Sequence, residues 1–124
     1  MSRVLIVDDH ELLRRAVRDV LTNGLRDVDV HEAVTADEAV RCVEEKAWDV
    51  VLLDLALGDK RGFDTLRRIK HVRADVAVLV ISMHPEEQYG AAARAAGAAG
   101  YLTKGASPAA IVAAVRKAAG GGDA

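Results

Sequence analysis

The sequence predicts a single α/β domain, built as a doubly wound, five-stranded parallel sheet with helices on both faces. Three observations predict it. Short aliphatic runs alternate with stretches whose apolar residues recur at helical spacing. Val50–Leu53 and Val76–Ile81 are apolar without interruption, as strands covered on both faces must be. Strand and helix alternate along the whole chain, the order that joins parallel strands through crossover helices.

The elements follow in order. Val4–Val7 is a short strand that stops at Asp8-Asp9. From Glu11 to Thr22, Leu12, Leu13, Ala16, Val17, Val20 and Leu21 mark a helix with arginines opposite. Gly24 stands where a helix end takes a left-handed residue. Val28–Val34 alternates, as an edge strand does. Thr35-Ala36-Asp37-Glu38 reads as a capping box for a helix whose buried stripe is Ala39, Val40 and Val43. Val50–Leu53 leads to Asp54. Gly58 and Gly62 bracket a polar loop, and Phe63, Leu66, Ile69 and Val72 stripe the third helix. Val76–Ile81 ends at Ser82. Pro85 suits a first helical turn, and the helix it opens is Ala-rich from Ala91 to Ala96. Gly97 and Gly100 frame a connection to the short strand Tyr101-Leu102, which leads to Lys104. Ser107-Pro108 reads as N-cap and first residue of a last helix carrying Ile111, Val112 and Val115. The folded unit is expected over residues 1–119, with 120–124 a flexible, glycine-rich tail or the start of a linker.

Composition narrows the function. The 124 residues suffice for one domain with one core. Half are apolar, but the aromatics are one Trp, two Tyr and one Phe, so the core rests on Val, Leu, Ile and Ala. A formal net charge of −2 leaves no basic surplus for DNA phosphates, which excludes this segment as a DNA binder by itself. The basic groups Arg14, Arg15 and Arg18, Lys60 and Arg61, and Arg67 and Arg68 read as solvated faces. Cys42, the only cysteine, excludes an intrachain disulfide and reads as a small apolar filler. A reducing, cytoplasmic setting fits it. Neither a signal peptide nor a membrane span is read, so a soluble protein is expected.

The strand ends carry the chemistry. Ligands of open parallel sheets bind outside the carboxyl ends of the strands. Asp8 and Asp9, Asp54, Ser82 and Lys104 all stand there. Clustered carboxylates repel unless a cation relieves them, and carboxylate oxygens suit a hard divalent ion such as Mg²⁺. A hydroxyl, an ammonium and a metal together can hold phosphoryl oxygens. A carboxylate can itself be the nucleophile and form an acyl phosphate. Taken singly, Asp8-Asp9 would serve equally as a helix cap and Lys104 as half of an ordinary ion pair. Their shared position at one end of successive strands argues for a site.

These motifs resemble the bacterial response-regulator receiver domain over essentially the whole chain. Val-Leu-Ile-Val-Asp8-Asp9-His10 resembles the family's acidic pair, and Val-Val-Leu-Leu-Asp54-Leu-Ala-Leu its phospho-acceptor segment. Ser82 stands 28 residues beyond Asp54 and Lys104 a further 22 on, as in the family, and Tyr101 matches its switch aromatic. Ile81–Tyr89 with Gly100–Lys104 is similar to the NarL/FixJ group, whose receivers precede a LuxR-type helix-turn-helix. The resemblance implies a flavodoxin-like (CheY-like) fold with strand order 2-1-3-4-5 and five helices.

It further implies that Asp54 takes a phosphoryl group from a phosphohistidine of a histidine kinase or phosphotransfer protein. Asp9 and Asp54 would bind Mg²⁺ directly, Asp8 through a water, and Ala56 through its backbone carbonyl. Ser82 and Lys104 would bind phosphoryl oxygens. Movement of Ser82 would let Tyr101 change rotamer and repack the face of the fourth helix, fifth strand and fifth helix. Self-phosphorylation and autodephosphorylation would be the only reactions. DNA would be reached only through a helix-turn-helix domain beyond this chain, the membrane not at all. Homodimerisation on phosphorylation would use the first and fifth helices or the repacked face. Gly58 and Gly105 replace prolines common in the family, Met83 is large enough to shield the pocket in part, and Ala56 and His84 occupy positions that tune water access. Three alternatives stand beside this reading: a stand-alone receiver acting by protein contact, a flavodoxin-like nucleotide or FMN module, and a Mg²⁺-dependent phosphohydrolase. The acidic pair disfavours the second; Ala56, where the third needs an acid, disfavours that one.

Overall fold

Each apolar run forms a strand, and each amphipathic stretch forms a helix, in the computed structural model, which describes residues 2–56 and 62–120. The order is β1 (Ser2–Val7), α1 (Glu11–Gly24), β2 (Val28–Ala33), α2 (Ala36–Glu45), β3 (Val50–Asp54), α3 (Gly62–Val72), β4 (Ala77–Ser82), α4 (Glu86–Ala95), β5 (Gly100–Thr103) and α5 (Pro108–Gly120). All pairings are parallel, in the order β2-β1-β3-β4-β5. Gly58, Lys60 and Arg61 of the polar loop, and Gly121 and Gly122 of the tail, lie outside the described residues. Gly120 itself is helical, one residue past the expected boundary.

The strand pleat splits the core in two. Leu5, Val7, Val51, Leu53, Val78 and Val80 pack under α2, α3 and α4. Val4, Ile6, Val50, Leu52, Leu79 and Ile81 pack under α1 and α5. Burying each such side chain stabilises the fold by about 1.5–3 kcal/mol. Thr35 Oγ1 accepts the Glu38 amide at 3.1 Å, and Glu38 Oε1 reaches back to the Val34 amide at 2.6 Å, closing a cap over α2. Ser107 Oγ accepts the Ala110 amide at 3.1 Å at the start of α5.

Four local expectations need correction. Gly24 is the last residue of α1 rather than a left-handed terminator; the left-handed residue is Asp27, at φ 51°. Gly24 serves close packing instead, since a Cβ there would lie 2.5 Å from Val112 Cγ2 of α5 and one of the two would have to shift. Pro85 occupies the N-cap of α4, with extended ψ of 155°, and not its first turn. On α1, Leu12 is 82% exposed and Ala16 is exposed, because only Val17 and Leu21 fully reach the sheet. Met83, 74% exposed, shields little.

The topology brings the strand ends to one edge. Val7 is level with Leu53, so Asp8 and Asp54 leave the sheet side by side. Asp54 is level with Ile81, one residue before Ser82. Among the described residues no helix is long and apolar enough to cross a membrane.

Candidate functional site

Asp54 ends β3 and is 1% exposed. Its Oδ1 accepts the Ala56 amide at 3.0 Å, and its Oδ2 accepts Lys104 Nζ at 3.0 Å. Asp8, also buried, donates its amide to the Ala33 carbonyl at 3.1 Å. That bond carries the β1–β2 ladder one residue further. Asp8 Oδ1 accepts the His10 amide at 2.8 Å, and Lys104 Nζ stands 3.9 Å from Asp8 Oδ2. Asp9 is exposed at the mouth. The His10 ring lies across the cluster, its Nδ1 3.1 Å from Asp9 Oδ1, 3.2 Å from Asp8 Oδ1 and 3.9 Å from Asp54 Oδ2. One ligand atom from each of Asp8, Asp9, His10 and Asp54 lies within 4.8 Å of the others.

Lys104 is aimed by its backbone. Its amide donates to the Ser82 carbonyl at 2.8 Å, extending the β4–β5 pairing past Thr103, and the Ala106 amide returns to the Thr103 carbonyl at 3.0 Å. Gly105 between them has open space around its Cα. Ser82 is buried, and its Oγ accepts the His84 amide at 3.0 Å. Tyr101 is turned inward and donates its hydroxyl to the His84 carbonyl at 2.8 Å. Both groups therefore grip the backbone of one residue.

The electrostatics ask for a cation. Burial, and then the Asp54 charge, push the Asp8 carboxyl above the ordinary carboxylate range, against the opposing His10 amide and the Lys104 charge. A hard divalent ion relieves both causes of strain, and carboxylate oxygens are the donors such an ion takes. A cavity of about 270 Å³ is lined by Leu55, Ala56, Phe63, His84 and Tyr89, and so takes residues just past the ends of β3 and β4. The roomier groove between α1 and α5, about 590 Å³, contains none of the strand-end residues.

The residues singled out in the sequence thus fall at one edge: Asp8, Asp9, Asp54 and Lys104 touch or nearly touch, and Ser82 ends the adjacent strand. Two further residues join them that the strand-end pattern does not mark. His10 follows the acidic pair in the three-residue β1–α1 link, and that position is the sequence signal that points to it. Arg14, read as solvated, has a side chain 13% exposed. Its Nη1 donates to the Asp8 carbonyl at 3.0 Å and its Nε to Glu32 Oε1 at 2.8 Å.

This fold with this strand-end cluster defines a receiver, and the comparison with known families agrees. The model of the response regulator receiver domain matches residues 4–116, and the chain belongs to that family. It is 40% identical over 116 residues to the response regulator UvrY of Escherichia coli (strain K12), covering 94% of this chain and 53% of UvrY. The chain thus spans about half the length of that curated relative. A two-component response regulator of the LuxR family from Aurantimonas sp. SI85-9A1 superposes with a TM-score of 0.89 at 33% identity, covering 98% of this chain and 86% of that one. These likenesses put the chain with the NarL/FixJ, LuxR-type receivers. A response regulator from Burkholderia pseudomallei, 25% identical with a TM-score of 0.83 over 95% of this chain and 69% of its own, was solved with a phosphorylated aspartic acid, a calcium ion and citrate.

Proposed function

We propose that this chain is a phospho-accepting switch in which Asp54 takes a phosphoryl group from a phosphohistidine. One observation carries the reading: a buried carboxylate at a strand end, held by Lys104 Nζ at 3.0 Å and crowded by Asp8 and Asp9. An Asp54 oxygen attacks phosphorus, the P–N bond to the donor imidazole breaks, and an acyl phosphate forms. Asp9, Asp54 and the Ala56 carbonyl would hold Mg²⁺, with Asp8 acting through a water. The relative solved with a phosphorylated aspartic acid and a calcium ion supports phosphorylation on an aspartate together with a divalent ion. When bound, the ion supplies charge neutralisation for the transferring group. Lys104 follows the charge from Asp54 to a phosphoryl oxygen, and Ser82 donates its hydroxyl to another.

To do so, Ser82 must leave the His84 amide. That loosens one of two grips on the His84 backbone and alters the balance between the inward Tyr101 and an exposed rotamer. The face of α4, β5 and α5 changes with it. The similarity to UvrY and to a LuxR-family regulator supports an output through a DNA-binding domain that follows residues 1–119 by way of 120–124. A histidine kinase or phosphotransfer protein is the partner, the setting is cytoplasmic, and homodimerisation accompanies phosphorylation. No other substrate is turned over; autodephosphorylation is the only hydrolysis.

Intact mass spectrometry tests the reading. With Mg²⁺ and acetyl phosphate the wild type should gain one phosphoryl group and Asp54→Ala none. Equal behaviour of the two sinks it. Mass is preferable to Trp48 fluorescence, because Trp48 precedes β3 at the opposite end of the strand and is tied to the Cys42 carbonyl at 2.8 Å.

A further inference from the structure

The link between β1 and α1 is three residues long and carries Asp8 and Asp9. Four bonds hold it. The Asp8 amide reaches Ala33, the His10 amide reaches Asp8 Oδ1, and the Arg14 amide reaches the His10 carbonyl at 3.0 Å. The fourth is the Arg14 side chain, which folds back one helical turn and donates Nη1 to the Asp8 carbonyl. This bond fixes the peptide between the two acidic residues.

Arg14 is itself anchored. Its Nε donates to Glu32 Oε1, and Arg18 Nη1 donates to Glu32 Oε2 at 2.5 Å. Glu32 belongs to β2 and is level with Ile6 of β1, so the network ties the link to the strand beside it. The planar guanidinium serves the Asp8 carbonyl through Nη1 and Glu32 through Nε, two donors held at fixed positions on one rigid group, whereas the donors of an ammonium radiate from a single atom. Two guanidinium charges face one carboxylate here, leaving positive charge beside the crowded acids. Arg15, one residue on, shows what an ordinary pair looks like: it is 70% exposed and meets Glu11 at 3.3 Å.

We infer that Arg14, braced by Glu32, is a positioning residue for the metal site: it presets the Asp8-Asp9 backbone so that the carboxylates converge before an ion arrives. The inference rests on the phospho-acceptor reading. Outer groups that orient metal ligands typically change affinity by about 10–100-fold when removed, and the lower end is expected for a group acting through a backbone carbonyl.

The test is Mg²⁺ titration calorimetry on the unphosphorylated 124-residue chain, with thermal unfolding alongside. Arg14→Ala should raise the Mg²⁺ Kd on the order of 10-fold, while its phosphorylation rate at saturating Mg²⁺ stays near wild type. Arg15→Ala should change neither. Arg14→Lys, which keeps the charge but not the rigid two-point fork, should recover only part of the affinity; full recovery would mean that the guanidinium brace is not needed and overturns the positioning role assigned to it. An unchanged Kd in a folded Arg14→Ala overturns it too. If Arg14→Ala does not fold, Glu32→Gln decides, with a smaller rise in Kd supporting the role and an unchanged Kd overturning it. Wild type and Asp9→Asn serve as references: Mg²⁺ binding that is absent in the first, or unaltered in the second, sinks the metal-site reading and this inference with it. Binding lost in Asp9→Asn but intact in Arg14→Ala sinks the inference alone.

Discussion

At the scale of single residues, the site stores unfavourable charge. Asp8 is buried next to Asp54 with only partial relief from Lys104 and His10. Asp8→Asn removes a desolvated charge while keeping the shape and the oxygen that accepts the His10 amide. The metal-free variant should therefore unfold at a higher temperature than wild type, by the equivalent of about 1 kcal/mol. Mg²⁺ should raise the wild-type melting temperature and raise the variant's less; a melting curve with and without the ion reads both. Glu32 shows the opposite balance. Burial favours its protonated form, but the bonds from Arg14 and Arg18 outweigh burial and hold the carboxyl below its usual range. The unfolded chain then binds the proton more tightly than the folded one. The stabilisation is complete above the ordinary glutamate value of 4.5 and is lost as pH falls through the depressed folded value. Glu32→Gln should cost about 1 kcal/mol at neutral pH and match wild type in acid below the folded value, as urea titrations at several pH values will show. Asp8, Asp9, Asp54, Ser82 and Lys104 were legible because each interrupts or follows an apolar strand. Arg14 was not, because its burial depends on Glu32, 18 residues away on a neighbouring strand.

At the scale of elements, the strands and helices announce themselves through local pattern, while their contacts do not. The caps at Thr35 and Ser107 are short-range chemistry and were readable. The role of Gly24 is not legible locally, because the close approach it allows comes from α5, packed against α1 from the far end of the chain. Two glycines separate these cases. Gly24→Ala gains helix propensity but drives its Cβ into Val112, and should lose about 1–3 kcal/mol net. Gly24→Ala combined with Val112→Ala should be less damaging than the sum of the two changes, since the second makes room for the first. Gly105→Ala meets nothing within 4 Å and restricts the unfolded chain, so it should be neutral or stabilise by up to about 1 kcal/mol. Equilibrium denaturation of the four variants decides it, and a stable Gly24→Ala would remove the packing explanation for that glycine.

At the scale of the molecule, alternation of elements was enough to predict a parallel sheet, but the strand order came from family resemblance. Pattern alone cannot choose which strand lies beside which. That order matters because it puts β4 between Asp54 and β5, so only the end of one strand, the one carrying Ser82, separates the acidic pocket from the strand of Tyr101. The backbone of His84 is the junction: Ser82 Oγ accepts its amide, and the Tyr101 hydroxyl donates to its carbonyl. If phosphorylation draws Ser82 toward Asp54, the His84 amide loses its partner and becomes open to solvent at the exposed start of the β4–α4 connection. Residue-resolved hydrogen exchange should then show the His84 amide exchanging faster with Mg²⁺ and beryllofluoride than in the free protein. Ser82→Ala should exchange fast in both states, and Tyr101→Phe should keep the difference, because it removes only the carbonyl's partner. A His84 amide equally protected before and after beryllofluoride would mean that Ser82 stays in place and would overturn the Ser82–His84–Tyr101 route.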